Sequence, residues 1–300
     1  MTTPIRPQIR PRRSVLYMPG SNARALEKAR TLAADALILD LEDAVAPDAK
    51  DLAREQIAAA VAEGGYGKRE IIVRVNPEDT PWGRADFRAA AKMKGVDAIL
   101  LPKIESAHQI ETAVAVMNVL GAPPSMKIWC MIETPRGILR AEEIADSSPR
   151  VACLVMGTSD LAKDMNAHHT PKRLPFLSSL SHCVLAARAA GIAVLDGVHL
   201  DLADDAGFEL SCIQGKELGM DGKTLIHPKT VGTANRVFEP SSDEVDFSKR
   251  VIVAHAEAEK EGKGMVVLDG KLIENLHVDM AKRIVALSEA INDLAAENAA

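Results

Sequence analysis

Two carboxylates, Glu133 and Asp160, each stand at the end of an apolar run typical of a buried strand. Glu133 directly follows the run that starts at Ile128, and Asp160 follows the run from Val151 across a Gly-Thr-Ser turn. Both acids are expected at the C-terminal tips of neighbouring strands. Two carboxylates held on one rim predict an oxygen-ligand site for Mg²⁺, or for Mn²⁺ as an alternative. The competing interpretation is that both acids only cap the helices that follow.

Two cations also end apolar runs. Burying Arg74 without a partner would be costly, and it could clamp a substrate carboxylate or an enolate oxygen with two donors. An ion pair with Glu42 or Asp43 across the rim is an equally open role, and the two are compatible. Lys103 could form a Schiff base with a carbonyl substrate. Its neighbour Glu105 favours a protonated lysine that pairs charges instead.

The segment from Tyr17 through Pro19 leads from the first predicted strand into a helix that a Ser-Asn pair can cap. Free backbone N–H groups at such a helix start attract anions. Arg24 and Lys28 are four residues apart and therefore share one helix face. They could hold a phosphate-bearing cofactor, although two cations on an exposed helix more often face only solvent.

The elements that must position these groups alternate between short apolar runs and Ala- and Leu-rich helical patterns. Strands are predicted near 15–18, 36–39, 71–75, 98–101, 128–132, 152–156, 192–195 and 222–226. About eight such units predict a closed (β/α)8 TIM barrel whose active site lies at the C-terminal ends of the strands. A doubly wound open sheet is the alternative, but the first strand lacks the Gly-x-Gly-x-x-Gly sequence. Charged residues recur at the predicted tips: Asp40, Glu42, Asp43, Arg74, Lys103, Glu105, Glu133, Asp160 and Asp196.

Composition limits the function classes. The 300 residues are 47% hydrophobic but only 3% aromatic, which suits parallel strands covered by helices. A net charge of −6 argues against nucleic acid as a partner and leaves a small, anionic ligand held by local cations. Four separated cysteines without a Cys-x-x-Cys motif predict free thiols in the cytoplasm. No apolar run approaches the ~18 residues of a membrane span, so no membrane partner is expected.

The pattern predicts three segments. Residues 1–11 are rich in Arg and Pro and are expected to form a disordered arm. Residues 12–240 form the barrel, and residues 241–300 form a C-terminal lid or oligomerisation segment of two helices around a Gly-rich hairpin. The last helix carries an apolar stripe at helical spacing: Leu276, Met280, Ile284 and Leu287.

Several ordered motifs together resemble one family, the citrate lyase β-subunit-like CoA-ester lyases of the HpcH/HpaI aldolase superfamily, which include malyl-CoA lyases and malyl-CoA thioesterases. The motifs extend from Arg12 to about Ala286: Arg-Ser-Val-Leu-Tyr-Met-Pro-Gly from 13, Leu-Asp-Leu-Glu-Asp-Ala-Val from 39, Val-Arg-Val-Asn from 73, Leu-Pro-Lys-Ile-Glu from 101, Ile-Glu-Thr from 132, Gly-Thr-Ser-Asp from 157 and Ile-His-Pro from 226.

The resemblance implies a TIM barrel in which Glu133 and Asp160 bind Mg²⁺ and Arg74 contacts substrate. It implies that the first strand-to-helix segment, with Arg24 and Lys28, holds CoA. It also implies a homo-oligomer, a trimer or a hexamer built from two trimers, in which the C-terminal segment closes over a neighbour's site and supplies an acid. The alternative is that this segment packs on its own barrel and leaves the acid in solvent. Lyases of the family usually carry Asp there, whereas this chain has Glu274.

The function expected from these observations is a Mg²⁺-dependent CoA-ester lyase. It would reversibly cleave a 3-hydroxyacyl-CoA of the malyl-, methylmalyl- or citramalyl-CoA type into an acyl-CoA and a 2-oxo acid such as glyoxylate or pyruvate. A rim carboxylate, Glu42 or Asp43, or a metal-bound water would move the hydroxyl proton, and Glu274 could protonate the enolate carbon. The alternatives are a malyl-CoA thioesterase that releases malate and CoA, a Schiff-base aldolase using Lys103, and a non-catalytic CoA-binding subunit of a lyase complex.

Overall fold

A computed structural model describes residues 9–298, so most of the predicted N-terminal arm, residues 1–8, lies outside the described residues. The chain divides into two compact units. One unit covers Arg12–Phe238, and the other contains the residues from Glu239 onward.

The first unit is a closed barrel of eight parallel strands in sequence order, with β8 pairing back onto β1. The strands are β1 Ser14–Pro19, β2 Ala36–Asp40, β3 Glu70–Arg74, β4 Ala98–Leu101, β5 Lys127–Ile132, β6 Val151–Met156, β7 Ala193–Asp196 and β8 Gly222–Leu225. The predicted (β/α)8 TIM barrel is therefore confirmed, and all eight predicted strands coincide with observed ones.

Helices separate successive strands and cover the outside of the barrel. They are α1 Ala23–Ala29, α2 Lys50–Glu63, α3 Gly83–Ala90, α4 Ala107–Val119, α5 Pro135–Leu139, α6 Ala141–Asp146, α7 Thr158–Asp164, α8 Leu177–Ala189, α9 Asp205–Leu218 and α10 Val231–Phe238. Short 3₁₀ turns occur at Pro47–Ala49, Leu174–Phe176 and Pro228–Thr230.

The two-residue period of the strands decides which side chains enter the barrel. Alternate apolar residues such as Ile38, Ile72 and Met131 pack together in its interior. Two residues further along the same strands, the same face carries Asp40, Arg74 and Glu133 instead. The barrel is therefore apolar in its middle and charged at its C-terminal mouth.

One predicted rim charge has a structural role. Asp196 is fully buried and forms ion pairs of 2.7 Å with both Lys223 and Arg173. Burial alone would raise its pKa, but the two cations outweigh this and the pKa is lowered. Its side chain approaches Gly215 of α9, which places this cluster between the barrel and the helix layer.

The C-terminal unit consists of α11 Ser242–Lys260, a two-stranded hairpin of β9 Val266–Leu268 and β10 Lys271–Ile273, and α12 Asn275–Asn298. A capping box between Ser241 and Glu244 starts α11. The core of the C-terminal unit is formed by buried residues of α11, β10 and α12: Val251, Ile273, Val278 and Ala281. Among the described residues, no helix is long and apolar enough to cross a bilayer.

Candidate active site

Arg74 lies at the centre of the barrel mouth and is almost fully buried. Its Nε donates to Asp40 Oδ1 at 2.7 Å and its Nη2 donates to Asp40 Oδ2 at 2.6 Å. Burial disfavours the charged guanidinium, but Asp40 and other neighbouring groups more than compensate, so the Arg74 pKa is raised. Asp40 thus occupies the Nε–Nη2 edge of the guanidinium.

Nη1, the guanidinium nitrogen that Asp40 does not contact, points to the predicted rim acids. It lies 2.7 Å from Glu42 Oε2 and 3.1 Å from Asp43 Oδ2. The predicted ion pair across the rim is therefore present in this structure. Burial raises the pKa of Glu42 to about 8 despite the Arg74 charge, and the neighbouring carboxylates, Asp43 first, add to the rise.

Tyr17 faces the barrel interior rather than the helix that follows it. Its ring packs 4.7 Å from the Arg74 guanidinium carbon, and its hydroxyl contacts Met131 Sδ at 3.8 Å. Burial and the surrounding acids raise its pKa, so the phenol stays protonated. Tyr17 therefore supports the buried face of Arg74.

Glu133 follows β5 and is 2% exposed. Its Oε1 accepts a hydrogen bond of 2.8 Å from the backbone N–H of Lys103. Burial raises its pKa to about 7; the Lys103 N–H opposes the rise, and the negative charge of Asp160 adds to it. Gly157 leaves room for this carboxylate, because a Cβ at that position would overlap the Glu133 side chain.

The helix-cap interpretation does not describe either acid. Thr134, not Glu133, caps α5, with its hydroxyl accepting from the Gly137 N–H at 3.1 Å. Asp160 lies in the first turn of α7, and the residue at the N-cap position, Gly157, provides no side-chain cap. Both carboxylates are therefore available for another task.

Lys103 connects the two acids. Its backbone adopts a left-handed conformation with φ of 51°, and its Nζ lies 3.8 Å from Asp160 Oδ1. Desolvation lowers its pKa, but Asp160 and then Glu133 outweigh this effect and the pKa is raised. A protonated amine is a poor nucleophile, so the geometry disfavours the Schiff-base alternative. The acids responsible are Asp160 and Glu133 rather than the neighbouring Glu105.

These residues fit a hard divalent cation. The donors are carboxylate oxygens, and the space beside Glu133 is kept open by Gly157. Within residues 9–298, no group of three or more His, Cys, Asp or Glu side chains is placed to hold a metal. A cation bound by Glu133 and Asp160 would therefore keep most of its coordination positions for water and substrate.

The predicted CoA-binding segment lies at the start of α1. Asn22 caps the helix by accepting from the Ala25 N–H at 3.0 Å, and its own N–H donates to the Pro19 carbonyl at 3.1 Å. Arg24 and Lys28 are exposed on α1. Their side chains are accessible to an anionic ligand.

Glu274 lies in the C-terminal unit, between β10 and α12. It is half-buried, and its backbone N–H donates to His277 Nδ1 at 3.1 Å. On α12, Leu276 and Met280 are 55% and 60% exposed.

A cavity of about 300 Å³ lies outside the strands, between α3 and α4. Val75, Leu101, Ile104, Phe87 and Val116 contribute its apolar walls. It contains none of the predicted site residues and is separate from the carboxylate pair.

Comparison with known proteins places these features in a family. Residues 13–228 match the model of the HpcH/HpaI aldolase/citrate lyase family. The chain is 49% identical to a (3S)-malyl-CoA thioesterase of Cereibacter sphaeroides, over 95% of this chain and 97% of the relative. It is 35% identical to the citrate lyase β subunit of Escherichia coli, over 93% and 94% of the two chains.

Solved structures support the same placement. The CitE protein of Mycobacterium tuberculosis, in complex with magnesium, acetoacetate and coenzyme A, superposes with a TM-score of 0.72 and 26% identity, covering 92% of this chain and 97% of CitE. With the closed barrel and the carboxylate-lined mouth, these matches show that the chain belongs to the HpcH/HpaI aldolase/citrate lyase family.

Proposed function

We propose that this protein hydrolyses malyl-CoA to malate and CoA, with a divalent cation held by Glu133 and Asp160. The observation that carries the proposal is the 49% identity, over nearly the whole chain, to a (3S)-malyl-CoA thioesterase. The lyase activity favoured by the sequence motifs becomes the second candidate. The family model and the citrate lyase β subunits support it at lower identity.

The reacting groups would be arranged around Arg74. Mg²⁺, when bound, would supply Lewis-acid chemistry, polarising an oxygen of the substrate or lowering the pKa of a bound water. The Nη1 donor of Arg74 would stabilise negative charge that develops on the thioester oxygen. The substrate would displace Glu42 or Asp43 from this donor, and one of these acids would accept the proton of the attacking water or of the substrate hydroxyl.

The two candidate reactions share these groups and differ in the bond that breaks. In hydrolysis, water adds to the thioester carbonyl, the C–S bond breaks, and the thiolate takes up a proton. In cleavage, the 3-hydroxyl loses its proton, the C–C bond breaks, and the electron pair forms an enolate that is protonated at carbon. Arg74 serves both because each path places negative charge on the same thioester oxygen.

CoA would extend from this mouth toward the start of α1. The accessible cations Arg24 and Lys28 are suited to its phosphates. Pro19, the last residue of β1, would shape this approach, and Tyr17 would support Arg74 through its ring.

The C-terminal unit would complete the site from a neighbouring subunit of a trimer or of a hexamer built from two trimers. Leu276 and Met280 present apolar surface on α12, a face that suits docking on another subunit. Glu274, at the start of the same helix, would then reach the neighbour's pocket and exclude water or donate a proton.

The test is to incubate the purified protein with malyl-CoA and Mg²⁺ and identify the products. Malate with free CoA supports hydrolysis, and glyoxylate with acetyl-CoA supports cleavage. EDTA and the Glu133→Gln variant should each abolish turnover, whereas Glu105→Gln, which alters an acid outside the carboxylate pair, should retain it. Absence of turnover with both Mg²⁺ and Mn²⁺ would indicate a non-catalytic CoA-binding subunit.

A further inference from the structure

Asp40 makes more contacts in the barrel mouth than any role suggested so far explains. Each of its two oxygens accepts two hydrogen bonds. Oδ1 accepts from Arg74 Nε at 2.7 Å and from the Glu42 N–H at 2.9 Å. Oδ2 accepts from Arg74 Nη2 at 2.6 Å and from the Ala44 N–H at 3.0 Å.

One carboxylate therefore joins two strands of the barrel at their functional ends. It fixes the guanidinium that projects from β3, and it fixes the turn after β2 that carries Glu42. The backbone carbonyl of Asp40 also accepts a hydrogen bond of 2.9 Å from the Gly20 N–H, which holds the turn after β1. Asp40 is fully buried, so these bonds do not compete with water.

We infer that Asp40 is a positioning residue: it sets where the Nη1 donor of Arg74 meets the thioester oxygen and where Glu42 stands relative to that donor. The inference rests on the proposed role of Arg74 toward a CoA thioester. Because Asp40 takes both Nε and Nη2, the guanidinium cannot rotate to offer another edge to the substrate. Asp40 does not itself reach the substrate, since Arg74 and the turn enclose it.

An amide at position 40 cannot replace this carboxylate. Asparagine offers one acceptor oxygen and one NH₂ group. In either orientation, one guanidinium donor and one turn N–H would face another donor. The Asp40→Asn variant should therefore release both Arg74 and the Glu42 turn.

The chain contains a matched control at the other end of β2. Asp35, immediately before β2, also forms a buried two-point ion pair, accepting from Arg13 Nε at 2.9 Å and from Nη2 at 2.8 Å. It lies at the opposite end of the barrel from Arg74. An Asp35→Asn variant loses the same kind of pair without touching the mouth.

The experiment compares the two variants in thermal stability, kcat and KM with malyl-CoA and Mg²⁺. Both should lose stability, but only Asp40→Asn should lose kcat, on the order of 10²-fold, because a transition-state donor is displaced. In an Arg74→Lys background, Asp40→Asn should lower kcat less than about tenfold further, because the loss that passes through Arg74 is already present and only the displaced Glu42 turn still adds to it. If an asparagine variant does not fold, Asp40→Glu and Asp35→Glu, which keep the charge but move it, are compared instead.

A crystal structure of each metal-free variant provides a readout that needs no turnover. Arg74 Nη1 and the turn at 41–44 should be displaced in the Asp40 variant and unchanged in the Asp35 variant. Unmoved groups, equal kcat in both variants, or a full additional loss in the Arg74→Lys background would overturn the inference. If the wild type turns over no CoA thioester, the proposed function is wrong, and the crystal structures still decide whether Asp40 positions Arg74.

Discussion

Replacing Glu133 by Gln should stabilise the metal-free protein at alkaline pH and remove its response to Mg²⁺. If Glu133 only stabilised the fold, its replacement should instead destabilise the protein and leave the response to Mg²⁺ unchanged. Glu133 is buried, and its Oε1 accepts a hydrogen bond from the backbone N–H of Lys103. The amide oxygen of glutamine can accept the same hydrogen bond. The substitution therefore removes a buried charge while retaining the hydrogen bond.

The magnitude follows from the pKa of Glu133, which burial raises from 4.5 to about 7. Between these values the folded state holds the proton more tightly than the unfolded state, so wild-type stability falls as pH rises through this range. The loss from this group is about 3 kcal/mol at pH 8.5 and less than about 1 kcal/mol at pH 5. Glu133→Gln should be more stable than the wild type by these amounts in EDTA.

Urea unfolding at a fixed protein concentration, at both pH values and with or without Mg²⁺, measures these differences. A saturating cation, at about 100 times its Kd, should stabilise the wild type by about 2.7 kcal/mol and leave the variant unchanged. Glu70→Gln is the control, because Glu70 is buried in an ion pair of 2.7 Å with Arg12. It should lose about 3–5 kcal/mol at either pH. Equal stability of the wild type and Glu133→Gln at pH 8.5, or equal stabilisation of both by Mg²⁺, would refute the reasoning.

Four further outcomes are expected. Asp160→Asn should lower kcat by several orders of magnitude with an unchanged circular dichroism spectrum; full activity of the wild type in EDTA would contradict a metal role. Arg74→Lys should retain little activity, because an ammonium cannot serve both Asp40 and a substrate oxygen; unchanged kinetics would rule out the proposed role of Arg74 toward the substrate. Borohydride with substrate should trap no adduct on Lys103, as checked by mass spectrometry. Mixing inactive Glu133→Gln and Glu274→Gln subunits should regain partial activity, and a mixture that stays inactive despite proven exchange would exclude a shared site.

The barrel was predictable from sequence because each strand is a short apolar run between helical patterns, and eight such runs fit one architecture. The mouth residues were found by the same logic, since a charge at the end of an apolar run needs a partner or a function. The ion-pair and hydrogen-bond partners of these residues were harder to predict from the sequence. Asp40 ends β2 and Glu42 lies two residues further on, but only the pleat shows that Asp40 shares an inward face with Ile38.

The sequence could not rank the rim charges, because ranking depends on which neighbouring strand supplies the counter-charge. Asp196 occupies a strand tip just as Asp40 does, yet it points outward and pairs with Lys223 and Arg173. Lys103 shows the same limit. Its neighbour Glu105 in sequence does not set its protonation, whereas Asp160, from a distant part of the chain, does.

The charge balance at the mouth gives the cation a role before any chemistry. Five acids surround two cations there: Asp40, Glu42, Asp43, Glu133 and Asp160 against Arg74 and Lys103. Malyl-CoA is an anion, so a pocket with this excess of acids repels the ligand that it is proposed to bind. Burial, together with the same crowding, raises the pKa of Glu42 to about 8 and that of Glu133 to about 7, so partial protonation at neutral pH relieves part of the excess when no metal is bound. A divalent cation held by Glu133 and Asp160, as proposed, would offset most of this excess. The Arg74 donor could then exchange a rim acid for the substrate, so metal binding is expected to precede or accompany productive substrate binding in either candidate reaction.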